Sequence, residues 1–234
     1  MNEKTWIWDP QVSMTLLERY KMKKRNKNRA CLFLLAIFTV LVMSGCKNNS
    51  SESIPDFKLE NAVKVNEDLS ITATLVDCFA EDYYDLDELY QMVNREALVF
   101  NEKNGAGGLA VEKVTVEDDK VNVALKFSDR EAYANYNEAV FFVGTIEAAL
   151  NIGLKLDQIL VDINDPDKTI DQESLVAMKD SFILITNEHR NVGPLTVETF
   201  GRISYVSAGI EVWYGRNSVR IDNIKDELIY VLFK

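Results

Sequence analysis

An α+β fold built mainly on antiparallel strands is what this sequence predicts, and three observations point to it. Apolar residues recur at helical spacing near residues 86–103, they alternate with polar ones over 121–127, and the last forty residues carry short apolar runs split by turn residues. With 47% hydrophobic residues in a chain of 234, one sizeable core can be buried, and a single domain over 55–234 is expected.

The first predicted element is a helix over 86–103, in which Leu86, Leu89, Tyr90, Val93, Ala97 and Phe100 share one face. Asp85 with Glu88 three residues on forms a capping pair, and Asn104-Gly105 supplies the stop. Asp87, Glu88, Asn94, Arg95 and Glu102 occupy the other face, so the helix lies on the surface of the core. Glycines in 105–108 break the chain, and 109–116 reads as a strand whose alternation stumbles at Glu112-Lys113. After a turn at 117–120, Val121, Val123, Leu125 and Phe127 alternate with Asn122, Ala124 and Lys126, the pattern of a strand buried on one face. The two strands form a hairpin. Ser128 with Glu131 is a second capping pair, opening a short helix through Tyr136.

A strand is expected at 139–143 and a short helix at 145–152, stopped by Gly153. Next come a strand at 158–163, a polar loop Asn164-Asp165-Pro166-Asp167 and a helix near 172–179. Segments 182–186, 196–200, 202–206, 210–214, 219–221 and 228–233 read as strands. Turn residues Ser207-Ala208-Gly209 and Gly215-Arg216-Asn217 punctuate the late ones, which suggests an antiparallel meander.

Charge is distributed unevenly. Lys and Arg total 26 against 37 Asp and Glu, but residues 1–45 hold eight basic and three acidic side chains, which leaves 18 against 34 from Cys46 onward, a net of −16. Nucleic-acid affinity depends on Lys and Arg displacing counterions, so this acidity argues against nucleic acid as a partner.

Five cations without an acid (Lys23, Lys24, Arg25, Lys27 and Arg29) run into the apolar stretch 30–43, which matches the charged and apolar regions of an export signal. Its length falls short of the roughly 18–20 residues of a comfortable membrane span, which counts against an uncleaved anchor. The preceding cations count against a buried core helix. Met22 opens a more ordinary signal than Met1 does, so translation from Met22 is expected, with a long n-region as the alternative if it starts at Met1. Residues 1–45 are therefore expected to stand outside the fold.

The apolar stretch ends Leu41-Val42-Met43-Ser44-Gly45-Cys46, which resembles the lipobox of bacterial lipoproteins. Ser44, Gly45 and Cys46 fit that motif, and Met43 stands where leucine is usual. The resemblance implies a diacylglycerol on Cys46, cleavage before it, and attachment to the outer face of the cell membrane. Residues 46–54, rich in Asn and Ser, are polar and small and read as a flexible tether to the domain at 55–234. Further along, Tyr83-Tyr84-Asp85-Leu86-Asp87-Glu88-Leu89, the strand 121–127 leading to Tyr133-Ala134-Asn135-Tyr136-Asn137, Phe141-Phe142-Val143-Gly144-Thr145-Ile146 and the ending Ile229-Tyr230-Val231-Leu232-Phe233-Lys234 resemble uncharacterised lipoproteins of anaerobic, clostridia-type Firmicutes. That likeness covers most of the mature chain and implies the localisation, without an activity.

Candidate chemistry is sparse. Cys31 falls in the signal and Cys46 takes the lipid, so Cys78 stays alone and is expected as a small buried hydrophobe beside Phe79. Asp77, Glu81, Asp82, Asp85, Asp87 and Glu88 offer enough carboxylates for Ca²⁺, but caps and solvated faces account for them equally well. Residues 162–173 match an EF-hand loop at its first, third and twelfth positions, yet place Pro166 fifth and Asp167 where the motif needs glycine; a strand-to-helix turn capped near Asp171 fits better. His189 lies in a polar segment and no Gly-x-Ser-x-Gly elbow accompanies it. One imidazole and one thiol make no zinc site. The segment Gly105-Ala106-Gly107-Gly108 lacks the Lys and Ser/Thr of a phosphate loop. Aromatic pairs such as Tyr83-Tyr84, Phe141-Phe142 and Trp213-Tyr214 could grip a sugar or peptide where exposed, and most are expected in the core.

The sequence thus names no catalytic or metal residue and no cofactor. Its expected function is a non-catalytic binding or structural module of the cell envelope, partnered with the membrane through Cys46. The alternative is a carboxylate-based hydrolase or metal-dependent envelope enzyme, since a glycosidase-type pair needs only two acids at a set separation. A two-lobed solute-binding protein is disfavoured by the mature chain's size.

Overall fold

A computed structural model describes residues 16–32, 60–187, 194–213, 216–222 and 228–234. The lipobox residues Met43, Ser44, Gly45 and Cys46, the tether and His189 lie outside the described residues.

In chain order the elements are α1 (Leu16–Leu32), β1 (Asn61–Val65), β2 (Ile71–Cys78), α2 (Leu86–Asn104), β3 (Leu109–Glu117), β4 (Lys120–Phe127), α3 (Arg130–Asn137), β5 (Phe141–Thr145), α4 (Ile146–Asn151), β6 (Leu160–Asp162), β7 (Asp165–Ile170) and α5 (Gln172–Ala177). The chain then continues through β8 (Phe182–Thr186), β9 (Leu195–Glu198), β10 (Ile203–Ser207), β11 (Glu211–Trp213), β12 (Ser218–Ile221) and β13 (Ile229–Phe233). This is the expected α+β class, with short helices and sheets that are antiparallel except where β1 meets β9.

Local chemistry sets the boundaries. Asp85, Asp129, Thr145 and Asp171 stand in extended conformation ahead of α2, α3, α4 and α5, and each side chain accepts the backbone N–H three residues on. The α3 cap is thus one residue later than the expected Ser128, whose hydroxyl instead donates to the Asp129 carboxylate at 2.8 Å. An ionised acceptor outcompetes a hydroxyl for an N–H. Gly105 closes α2 at a φ of 110°, open to glycine and strained for other residues. Asp118 and Asp119, at φ 48° and 58°, make a two-residue turn that matches the strand twist between β3 and β4. The stumble at Glu112 is a bulge, with the register shifting between Val111 and Lys113 against a β4 that alternates without fault.

Other parts depart from expectation. The polar stretch expected as a loop at 164–167 turns directly into strand β7, because the Asp162 carboxylate takes the Asn164 N–H at 2.7 Å. β7 is an edge strand, where Pro166 is tolerated. β1 and β2 fall where no element was expected, since each has only two fully buried positions, Val63 and Val65 in one and Ile71 and Ala73 in the other.

Two sheets organise these strands. The first runs β11-β12-β9-β1-β2-β4-β3 and the second β5-β8-β13-β10-β6-β7, so the closing meander is dealt between both. One buried cluster joins Val63, Val65, Val123, Val197 and Val219 of the first sheet to Val143, Leu184, Val231 and Phe233 of the second, together with Leu89, Val93 and Ala97 of α2. A second cluster lies on the opposite face of the second sheet, where Ile146 and Ala149 of α4 and Leu175 of α5 cover Phe142, Ile183, Ile185, Tyr230 and Leu232. β13 is therefore buried on both faces, and its five residues are apolar without alternation.

Candidate functional site

The acidic cluster singled out from the sequence lies at the end of β2 and the start of α2, and α1 is seated on it. Residues 1–45 were expected to stand outside the fold. The structure corrects this for part of them, because Leu16, Leu17 and Tyr20 are 1–4% exposed and belong to the core cluster shared by both sheets. The physical reason is amphipathicity. Leu16, Leu17, Tyr20 and Lys24 follow at i, i+1, i+4 and i+8, one stripe of a helix, with further cations beside it.

Tyr20 is the centre of the seat. Its ring lies 6.0 Å from that of Phe79 and 5.9 Å from that of Tyr84, which are 4.9 Å from each other. Its hydroxyl donates to the Asp85 carbonyl oxygen at 2.9 Å and accepts the Asp85 N–H at 2.8 Å. One side chain thereby reaches both backbone groups of the residue that caps α2, whose carbonyl also accepts the Leu89 N–H at 3.0 Å. Burial pushes the Tyr20 hydroxyl pKa up, and that of Tyr84, desolvated and hydrogen-bonded to Tyr83, rises to about 12. Both are neutral donors at physiological pH.

Cations of α1 meet carboxylates around this aromatic centre. Lys21 lies 2.6 Å from Asp77, Lys24 lies 2.5 Å from Glu88, and Arg19 lies 3.1 Å from Glu96. The Lys24 side chain is only 11% exposed, its pKa is held up by the hydrogen bond to Glu88, and its ammonium sits 5.9 Å from the Tyr20 ring centroid. Lys23, 3.9 Å from Glu88 and 58% exposed, adds little.

These contacts decide the reading of the acids. Asp77 and Glu88 answer cations, and Asp85 caps α2, so these members of the cluster are engaged in roles other than a common ligand set. Among the described residues, no group of three or more His, Cys, Asp or Glu could hold a metal ion. Cys78 is exposed, which overturns its expected burial beside Phe79. Full burial in β2 ends at Ala73, with Leu75 still packed against the core, and Cys78 is the last residue of the strand, paired with Lys120 at the hairpin end.

Next to the seat is a cleft of about 390 Å³ lined in part by Arg19, Arg95, Glu96, Lys103, Tyr136 and Glu138. The Glu96 carboxylate accepts from Arg19 and, at 3.3 Å, from the Tyr136 hydroxyl. Desolvation pushes the Glu96 carboxyl above its ordinary pKa despite Arg19, and burial pushes Tyr136 up as well. Sequence reasoning missed both, since Glu96 carries no motif. Tyr83 and Tyr90 are exposed, whereas Tyr133, Phe141, Phe142, Tyr230 and Phe233 are core, as most aromatics were expected to be.

No family model, curated protein or solved structure matches the chain. No helix among the described residues is long and apolar enough to cross a membrane.

Proposed function

We propose that this chain is an extracytoplasmic lipoprotein, cleaved before Cys46 and anchored by acyl chains on that residue, whose domain is a non-catalytic binding module of the cell envelope. The binding half of this reading is carried by one observation: the seat at the N-terminus of α2 holds a helix by ring contacts and ion pairs, the means by which recognition surfaces work. The anchor half rests on the five cations, the short apolar stretch and Ser44-Gly45-Cys46. Two acyl chains hold a protein at a bilayer stably where one does not. Cys46→Ala should abolish metabolic labelling with a radioactive fatty acid and release the protein from the membrane fraction. Undiminished labelling of that variant contradicts the anchor.

One observation favours a second reading, a carboxylate-based hydrolase. Glu96 has a raised carboxyl beside Tyr136 in an open cleft that Glu138 also borders, and a general acid needs such a shift. Hydrolysis of a glycoside panel by the mature protein that vanishes in Glu96→Gln would establish the enzyme over the binder.

A further inference from the structure

α1 lies wholly upstream of Cys46, so cleavage there removes the helix and leaves its seat without the occupant the structure shows. The faces left behind are the rings of Phe79 and Tyr84, the carboxylates of Asp77, Glu88 and Glu96, and the backbone N–H of Asp85 that Tyr20 accepted. Their placement is selective. Carboxylates meet a helix at positions one before, one after and four after an aromatic residue, which is the spacing of Arg19, Lys21 and Lys24 about Tyr20 on adjoining faces of one helix. The chain from Cys46 onward carries a net of −16, so a cationic partner is drawn to it and an acidic one is repelled. A second mature copy lacks α1 and cannot supply the helix.

We propose that, in the mature lipoprotein, this seat receives a cationic amphipathic helix of a partner protein, which inserts an aromatic side chain against Phe79 and Tyr84 and sets Lys or Arg against Asp77 and Glu88. The proposal rests on the cleavage before Cys46 put forward above. In a chain that begins at Met1, α1 fills the seat; the mature chain from Cys46 lacks it.

The test uses a fluorescein-labelled peptide of residues 16–30 as the probe. It is titrated into the acylated mature protein in detergent micelles and into the uncleaved chain begun at Met1 and carrying Cys46→Ala, with fluorescence anisotropy as the readout. Saturable binding is expected to the mature protein and none to the uncleaved chain. Tyr20→Ala in the peptide should weaken binding by about tenfold or more, as loss of a buried tyrosine anchor does. Asp77→Asn in the protein should weaken it further and flatten its salt dependence. Absence of binding to the mature protein, equal binding of a scrambled peptide of the same composition, or equal binding to the uncleaved chain would each overturn the proposal. The mass of the Cys46 peptide from the same preparation reports the anchor separately, so a failed seat and a failed lipoprotein reading are told apart.

Discussion

Asp129 shows how one side chain sets a boundary. Its carboxylate accepts the Ala132 N–H at 2.8 Å and the Ser128 hydroxyl at 2.8 Å, and these bonds, the backbone one above all, hold its pKa below the ordinary value. A carboxyl lowered by folding stabilises the native state above its unfolded pKa, and that contribution fades as pH falls through the folded one. Asp129→Ala should therefore cost about 1 kcal/mol at neutral pH, measured by urea denaturation, with the gap to the parent closing in acid. Asp129→Asn keeps an acceptor and should lose less. Sequence spacing located this helix but assigned its cap to Ser128, because a Ser and a Glu three apart look alike whether or not a carboxylate stands between them.

At the scale of elements, α3 clamps the two sheets. Phe127 at the end of β4 is fully buried, its ring 5.1 Å from that of Tyr133 in α3, and Tyr133 lies 4.4 Å from Phe141 in β5. The chain of three rings crosses from the first sheet to the second, so Phe127→Ala opens a cavity where both meet. The expected cost is roughly 3–5 kcal/mol, read as a lowered denaturation midpoint, and a loss under about 1 kcal/mol would contradict the clamp. Elements with a long repeat were legible: α2 with its cap and stop, β4, and even the bulge that interrupts β3. β7 was hidden by Asp165, Pro166 and Asp167, residues that signal a loop unless an edge position excuses them. β1 and β2 were hidden because two fully buried residues apiece make no readable period.

Across the whole molecule, the charge asymmetry read from the sequence as an export signal also matches the two sides of an internal interface. The basic segment before Cys46 faces the acidic start of α2, with Tyr20 buried between them. The sequence disclosed both charge blocks but not their meeting, since nothing in composition tells that a stripe of Leu16, Leu17 and Tyr20 fits a groove some sixty residues away. The candidate site was thus legible as an inventory of acids and rings, and its geometry was not. What the lipoprotein proposed above presents depends on where its chain begins. Mass spectrometry of the N-terminus, on protein extracted from membranes with detergent, tests this directly. The account predicts acylated Cys46 as the first residue, with no peptide from 1–45. An unmodified Cys46 in a chain that still carries the 16–24 segment would contradict it.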